Sequence, residues 1–233
     1  MEIKLSVRDF IEFIMNSGNI DQHHGDVDRA LEGSRIHRKL QKEVGENYQA
    51  EVFFSHKEEI GEFVFLMEGR ADGVINNSDG ITIDEIKTTE TSLDTLNENS
   101  NPLHFAQAMC YGYFYCTDNH CSKITIQLRY YHIHTHEIKT IQKYYLKEEL
   151  QQFYLALLHQ YVKWVELQVD WVKTRNDSIK ELTFPFEKYR LGQRELAIAT
   201  YKTITNKSKL YCQAPTGTGK TISTLFPTIK SFA

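Results

Sequence analysis

The sequence lacks the features that mark membrane proteins and secreted proteins. No apolar run approaches the roughly 20 residues that cross a bilayer. The N-terminal stretch MEIKLSVRDFIEFIMNSG carries acidic side chains throughout, unlike a secretion signal. The 4 cysteines form no CxxC pair. These absences predict a cytoplasmic, reducing setting and no membrane partner.

The chain also lacks an excess of positive charge. Its 27 Lys and Arg residues are outnumbered by 31 Asp and Glu residues, which gives a formal net charge of −4. Because no overall basic field exists, a nucleic-acid partner would have to be held by local Lys and Arg patches and by metal. With 233 residues, 41% of them hydrophobic, the chain is long enough for one good core and part of a second.

Apolar periodicity predicts alternating helices and strands over residues 1–175. Helices are expected at 6–16, 26–44, 102–116 and 147–173, and strands at 48–56, 62–76, 80–87, 123–133 and 136–145. The order is helices, three strands, helix, two strands, helix. It predicts an α/β fold in which a mixed sheet is flanked by helices.

Two neighbouring strands carry acids and a lysine. Side chains alternate along a strand, so in ITIDEIK the residues Glu85 and Lys87 share one face while Asp84 lies on the other. A hairpin of the two strands brings Asp72 near Glu85. A local bulge could exchange Asp84 for Glu85, so both acids stay candidates at this point.

Such a cluster predicts a divalent metal site. Neighbouring carboxylates in a partly buried site repel each other, and a cation removes that repulsion. Mg²⁺ takes oxygen ligands and typically uses one or two protein carboxylates together with phosphate oxygens. The ion would polarise a phosphoryl group and help to deprotonate water, while Lys87 would orient that water.

The pattern of Asp72 followed by Glu85-Ile86-Lys87 resembles the motif of the PD-(D/E)xK nuclease superfamily. Ala71 stands where the family name has its proline. The resemblance implies a restriction-endonuclease-like core and a DNA nuclease that uses Mg²⁺ or Mn²⁺, with Asp72 and Glu85 as metal ligands and Lys87 as a catalytic residue.

Two further stretches resemble the RecB-like branch of that superfamily. GSRIHRKL is similar to the upstream helix whose histidine joins the metal site, which implies His37 as an auxiliary ligand. QAMCY is similar to the QxxxY motif, with Gln107 and Tyr111 at i and i+4 on one helix face. These two residues are therefore expected at the catalytic site or at the DNA.

Two other kinds of metal site have less support in the sequence than the acid and lysine cluster. Some RecB-like nucleases hold an iron–sulfur cluster with one cysteine upstream of the catalytic motifs, but here no cysteine precedes Cys110, so no cluster is expected. His132, His134 and His136 share one face of an extended segment, a spacing that suits zinc or copper. The polar outer face of a hairpin is the favoured interpretation of these histidines.

APTGTGKT, residues 214–221, fits the phosphate-binding loop GxxxxGK[ST] with alanine at the first glycine position. A strand is predicted before it at 209–214, and a helix after it. In such a loop backbone N–H groups, including those near Gly217 and Gly219, cradle phosphates, Lys220 bridges them and Thr221 holds Mg²⁺. The loop predicts ATP binding.

YRLGQRELA precedes this loop, and a helix is predicted at 192–205. Gln193 lies where superfamily 2 helicases have an adenine-reading glutamine, and the combination resembles DinG and XPD-like helicases. The resemblance implies an incomplete P-loop (RecA-like) fragment, because the acidic second nucleotide motif and the arginine finger do not follow. Competent ATP hydrolysis is therefore not expected from this chain.

The expected organisation is a nuclease domain at 1–175, a linker at 176–191, and the N-terminal fragment of a helicase ATP-binding domain at 192–233 that is poorly packed or leans on the nuclease domain. The leading hypothesis is a metal-dependent DNA nuclease, acting on single-stranded DNA or on single-stranded ends, in a helicase-nuclease of DNA repair or recombination. The alternative is a catalytically inactive module that positions DNA for the motor.

Overall fold

The computed structural model describes residues 1–16 and 27–232, the side chains of 27–31 excepted. The first residue of the predicted helix 26–44 lies outside the described residues. The chain divides into two compact units, Met1–Val162 and Lys163–Ala233. Every helix in the described part is too short or too polar to span a bilayer.

The six helices of the described part and five of its six strands were predicted, in the right order along the chain, and the first strand was not. The strands are β1 (Glu2–Ser6), β2 (Tyr48–Ile60), β3 (Phe63–Asn77), β4 (Gly80–Thr89), β5 (Lys123–His132) and β6 (Ile138–Leu146). The helices are α1 (Val7–Met15), α2 (Val27–Glu43), α3 (Pro102–Asp118), α4 (Lys147–Glu181), α5 (Gln193–Thr205) and α6 (Lys220–Lys230), with a 3₁₀ turn at Leu93–Thr95.

The six strands form one mixed sheet in the order β1-β3-β4-β5-β6, with β2 also paired to β3. The pairs β1–β3 and β4–β5 are parallel, and the other pairs are antiparallel. A parallel pair needs a long crossover connection, and α3 lies in the one between β4 and β5. The predicted mixed sheet flanked by helices is confirmed.

One edge of β3 is shared by two strands, and this creates an opening in the sheet. On that edge β1 pairs with the first part of β3, ending at Ser6↔Glu68, and β4 pairs with the last part, beginning at Gly73↔Asp84. Residues 69–72 therefore lie between the two partners. Beyond Asp84, β4 leaves β3 and, among the described strands, pairs only with β5.

Helices cover both faces of the sheet. On one face α3 packs against β4 and β5, with Phe114 and Cys110 fully buried and Gly112 in contact with Ile126. On the other face Leu40 of α2 forms a buried cluster with Ile86 and Tyr131. Full burial of each large apolar side chain contributes about 1.5–3 kcal/mol, so α2 and α3 are held firmly on opposite sides of β4.

The second unit differs from the prediction in two places. Helix α4 continues to Glu181, so the first residues of the expected linker are helical. The predicted strand at 209–214 is wrong, because the segment has no regular secondary structure and Tyr211 is 91% exposed. A strand needs a hydrogen-bonded neighbour, and none of the described strands pairs with this segment.

The helices of the second unit do pack on one another. Helix α5 contacts α6, and Phe184 stacks on Tyr189 with ring centroids 4.0 Å apart and meets Phe226 edge-on. The Lys230 ammonium donates to the carbonyls of Ile179 and Lys180 at the end of α4. The aromatic contacts and the capped helix end give this unit a small core of its own.

Candidate active site

Asp72 lies at the point where β3 and β4 separate, and its side chain links the two strands. Its Oδ2 accepts a hydrogen bond from the backbone N–H of Ile86 at 2.7 Å. A strand N–H that loses its neighbouring strand must be satisfied in another way. The carboxylate of Asp72 replaces the missing backbone partner, and this fixes its position at the place where the two strands separate.

Helix α2 holds Asp72 from the other side. His37 Nδ1 lies 3.0 Å from Asp72 Oδ1, and Gln41 Nε2 donates to the Asp72 backbone carbonyl at 3.0 Å. His37 and Gln41 are four residues apart and therefore lie on one face of the helix. One helix face thus binds both the side chain and the backbone of the same acid.

Glu85 is 3% exposed and forms only half of its hydrogen bonds. Its Oε1 accepts from the Lys87 ammonium at 2.7 Å, while its Oε2 is buried and has no partner. Burial raises the Glu85 pKa to about 7; the Lys87 charge opposes this rise and the Asp72 charge adds to it. A buried carboxylate oxygen without a donor costs free energy, and a cation would relieve that cost.

Asp84, the other candidate acid, lies on the opposite face of β4 and is fully buried. Its carboxylate accepts from Arg129, from Gln127 Nε2 at 2.8 Å and from the Tyr48 hydroxyl at 2.9 Å. Gly73 makes room for the Tyr48 ring, since a Cβ there would lie 2.0 Å from it. Both carboxylate oxygens of Asp84 therefore accept hydrogen bonds from protein donors. Asp84 and Glu85 lie on opposite faces of β4, as strand alternation predicted for ITIDEIK.

The acids and the lysine open into one cleft of about 430 Å³. Its polar lining comes from five elements: Arg8 and Glu12 of α1, His37 of α2, Arg70 and Asp72 of β3, Glu85 and Lys87 of β4, and His104 and Gln107 of α3. The structure therefore brings together five of the residues predicted for the nuclease site. Arg8 and Arg70, two exposed residues of this lining, bring positive charge to the cleft of a protein whose net charge is −4.

Tyr111 lies in the core behind Gln107. Its hydroxyl accepts from Gln107 Nε2 at 3.3 Å and from the backbone N–H of Arg70, and its ring stacks on Phe54. Gly69 permits this approach, because a Cβ there would lie 2.6 Å from the hydroxyl. Burial raises the Tyr111 pKa. Tyr111 thus stays a neutral support that holds Gln107 at the cleft.

His104 forms a neutral wall of the cleft. Burial, and next the Lys87 charge, lower its pKa to about 4. The Asn101 amide nitrogen lies 3.0 Å from Nε2, and the Tyr130 hydroxyl lies 3.1 Å from Nδ1. Since an amide nitrogen only donates, Nε2 accepts and Nδ1–H donates to Tyr130. Both ring nitrogens are therefore engaged inside the protein.

Sequence reasoning missed several residues of this region. Gln41, His104 and Arg129 belong to no motif, and their roles depend on how α2 docks and on the β4–β5 register. Only Gln41 carried a local signal, because it follows His37 by four residues on one helix face. Arg8 and Arg70 could be found only once β1 and β3 were known to be neighbours.

The three histidines of HIHTH belong to a turn. His132 Nδ1 accepts from the backbone N–H groups of His134 and Thr135, and the Tyr131 hydroxyl lies 2.7 Å from His136 Nδ1. In the part of the chain that the structure describes, no three His, Cys, Asp or Glu side chains form a ready metal cage. His132, His134 and His136 therefore do not share the face of an extended segment, and they lie at the turn of the β5–β6 hairpin, which agrees with the favoured interpretation of a polar hairpin surface.

The glycine-rich loop 214–221 ends on the N-terminus of α6. Gly217 and Gly219 have positive φ angles of 85° and 77°, and the Lys220 ammonium donates to the carbonyls of Ala214 and Pro215. Gln193 Nε2 donates to the Gly219 carbonyl at 3.4 Å. The predicted phosphate-binding residues therefore lie around one loop, with Lys220 and Thr221 in the first turn of α6. The strand expected before the loop does not form.

Comparison with known proteins gives distant likenesses in structure alone. No protein-family model matches the sequence, and no curated protein matches it significantly. The structure is similar to that of SSO0001, with 18% identity, a TM-score of 0.44, and coverage of 67% of this chain and 76% of that one. It is also similar to the alkaline exonuclease LHK-Exo from Laribacter hongkongensis, with 13% identity, a TM-score of 0.46, and coverage of 75% and 94%.

Proposed function

We propose that the first unit is a metal-dependent nuclease domain that hydrolyses phosphodiester bonds in DNA. The observation that carries this proposal is Glu85 Oε2, a buried carboxylate oxygen without a partner, in the same cleft as Asp72 and Lys87. A fold that only packed its strands would have no use for an uncompensated acid at this position.

The donor atoms fit a hard divalent cation. Asp72 and Glu85 would hold Mg²⁺ or Mn²⁺ through oxygen, with His37 beside Asp72 as an auxiliary nitrogen donor. Mg²⁺ keeps several waters and is commonly bound by one or two carboxylates plus substrate phosphates. A site of this kind is completed by its substrate, which agrees with the absence of a three-ligand cage among the described residues.

Each side chain of the cleft then has a defined task. A bound divalent ion would polarise the phosphoryl oxygen and favour the hydroxide form of the attacking water. Lys87, fixed by its 2.7 Å bond to Glu85, would orient that water and offset negative charge that develops on the phosphate. Arg8 and Arg70 line the rim, where guanidinium groups bind phosphate oxygens well. Gln107, held by Tyr111, would contact the substrate strand.

The competing function is an inactive module that binds DNA and positions it for a motor. Such a module would need the rim cations but not the buried Glu85 and its lysine. A like-sized amide at position 85 would relieve the burial cost without weakening DNA binding. The retained charge therefore favours catalysis over binding alone.

The test is cleavage of a labelled single-stranded oligonucleotide in Mg²⁺ or Mn²⁺. We expect Lys87→Ala to lower the rate by roughly 100-fold or more, since loss of one group that stabilises the transition state has that effect. Lys57→Ala is the matched control, because Lys57 is an exposed lysine of β2 paired with Glu59. Wild-type chain that binds the oligonucleotide but leaves it uncut in both metals would establish the inactive module.

We propose further that loop 214–221 binds the phosphates of ATP, as part of a helicase ATP-binding domain that begins near residue 192. Support comes from the two positive-φ glycines at the start of α6 and from the bond between Gln193 and Gly219. A helix N-terminus with free N–H groups attracts phosphate. Fluorescent ATP-analogue binding that is unaffected by Lys220→Ala would contradict this second proposal.

A further inference from the structure

Arg129 makes an unusual set of buried contacts on the face of β4 opposite the cleft. Its Nε lies 2.9 Å from Asp84 Oδ1, its Nη2 also binds Asp84, and its Nη1 donates to the Leu40 backbone carbonyl at 3.4 Å. Asp84 is fully buried and the Arg129 side chain is 10% exposed. One guanidinium thus joins β4, β5 and α2.

The Leu40 carbonyl is a special acceptor. Helix α2 ends at Glu43, so Leu40 belongs to the last four residues, whose carbonyls have no partner within the helix. Those carbonyls carry the negative end of the helix dipole, which favours a cation nearby. Arg129 therefore caps the C-terminus of α2 from inside the protein, and Asp84 neutralises its charge.

The same turn of α2 is bonded to the backbone of Asp72, one of the acids of the candidate metal site. Leu40 packs against Ile86 and Tyr131, and the next residue, Gln41, donates to the Asp72 carbonyl. His37 lies one turn earlier and reaches Asp72 Oδ1. Any shift of this helix end along the sheet would move His37 relative to Asp72.

We propose that Arg129 is a positioning residue for the metal site: by capping α2 while anchored to Asp84, it sets the place of His37 beside Asp72. The inference rests on the proposed function only where it concerns metal, since the capping contact exists without an ion. It also gives Asp84, the first acid of the Asp84-Glu85 pair, a task of its own on the reverse side of the strand.

Geometry explains why the residue is an arginine. The planar guanidinium presents donors on different edges, so Nε and Nη2 can bind a carboxylate while Nη1 reaches a carbonyl. A lysine ammonium at the same place can pair with Asp84 but cannot hold both partners in fixed directions. Buried ion pairs are weak contributors to net stability, and a positioning task gives this pair a reason to be charged.

The experiment compares Arg129→Lys with wild type by two readouts. Amide hydrogen exchange followed by mass spectrometry measures the protection of residues 34–43, without metal or substrate. Calorimetric titration with Mn²⁺ measures metal affinity. We expect faster exchange in α2 but not in α3 or β5, and Mn²⁺ binding weaker by roughly 10-fold, as for other outer-shell partners of metal ligands.

Two further variants make the result specific. Tyr48→Phe removes a hydroxyl that bonds Asp84 and also interacts with Arg129, but it leaves the Arg129–Asp84 and Arg129–Leu40 contacts, so exchange in α2 and Mn²⁺ affinity should stay as in wild type. Gln41→Met removes the neighbouring link between α2 and the Asp72 carbonyl and should weaken Mn²⁺ binding in the same way as Arg129→Lys. It serves as the substitute if Arg129→Lys does not fold.

The outcomes separate the two proposals. Unchanged protection of 34–43, or equal acceleration throughout the first unit, would overturn the positioning role. In a His37→Ala background Arg129→Lys should weaken Mn²⁺ binding no further, and an additive loss would also overturn it. Wild-type chain that binds no Mn²⁺ either alone or with the oligonucleotide present would defeat the nuclease proposal, while the exchange data would still decide whether Arg129 positions α2.

Discussion

Asp84 and Glu85 are consecutive acids with opposite surroundings. The Asp84 carboxylate accepts hydrogen bonds from Tyr48, Gln127 and Arg129, so its charge is satisfied by the protein. Glu85 has one donor, Lys87, and one buried oxygen without any. Strand alternation separates the two tasks, because neighbouring side chains point to opposite faces. The first acid is fully satisfied by protein donors, and the second keeps one buried oxygen without a donor.

This difference predicts opposite effects of the same chemical change at the two positions. The folded-state pKa of Glu85 is raised to about 7 by burial, above its unfolded value of about 4.3. The folded chain therefore holds a proton more tightly than the unfolded chain, and stability falls as pH rises from about 4.3 to 7. Glu85→Gln should raise the free energy of unfolding by about 1–3 kcal/mol at pH 8 in EDTA, and by less at pH 5.

Asp84→Asn should do the reverse. It leaves the buried Arg129 guanidinium without its counter-charge, and removal of one partner of a buried pair typically costs about 3–5 kcal/mol. Urea denaturation of both variants at pH 8, without metal, measures the two signs in one experiment. Equal destabilisation by both amides would show that Glu85 is as well satisfied as its neighbour and would remove the main support for a metal site.

At the scale of elements, the site depends on how closely α3 approaches β3. Gly69 lies under Tyr111, and a Cβ there would lie 2.6 Å from the hydroxyl and 2.8 Å from a ring carbon. Gly69→Ala should therefore push Tyr111 away and cost about 1–3 kcal/mol, as overpacking of a core does. Because Tyr111 holds Gln107, DNA cleavage should fall as well. Unchanged stability together with unchanged cleavage rate would show that α3 can shift without consequence.

The sequence predicted the helices and strands that have a clear apolar periodicity of their own. It failed for segments whose structure depends on pairing with another strand. Strands β3 and β4 and helix α3 carry clear periodicity, and the resemblance of short motifs named His37, Asp72 and Gln107, which the structure places in one cleft. Strand β1 is short and polar, and it is stabilised by pairing with β3. The segment at 209–214 shows the converse error, because a good strand pattern without a neighbouring strand forms no strand.

The site has the same division between local and non-local signals. Asp72, Glu85 and Lys87 were recognisable because a hairpin keeps them close in the sequence. Arg129 was not, since its bond to Asp84 follows from the parallel β4–β5 register, in which Ile86 faces Arg129 across the strands. No spacing rule links residues that far apart in the chain. Contacts through a crossover connection therefore have to come from the structure.

At the scale of the molecule, charge is distributed unevenly. The net charge of −4 provides no general attraction for DNA. The cleft of the first unit nevertheless gathers three cations, Arg8, Arg70 and Lys87, among three acids. Binding of a DNA strand would then depend on a few phosphate contacts, and its salt dependence would be correspondingly shallow, since the slope follows the number of phosphates neutralised.

The two compact units also predict where a protease should cut. Segments 182–192 and 206–218 of the second unit are outside helices and strands, and Leu191 is 98% exposed. Cleavage requires a locally extended, accessible backbone. Among the described residues, the exposed tryptic sites in such segments are Lys188, Arg190, Lys207 and Lys209. The exposed loop 90–101 of the first unit contains no Lys or Arg.

Brief trypsin treatment should therefore release products that end at 188, 190, 207 or 209, and the sheet with its cleft should stay whole. If the nuclease site belongs to the first unit alone, the digested sample keeps its metal-dependent cleavage of single-stranded DNA. Mass spectrometry identifies the cut, and the oligonucleotide assay follows activity in the same tube. First cuts within β2 to β5 would show that the sheet is not the protected part of the chain. Activity that disappears as residues after 188 are removed would show that the cleft depends on the second unit.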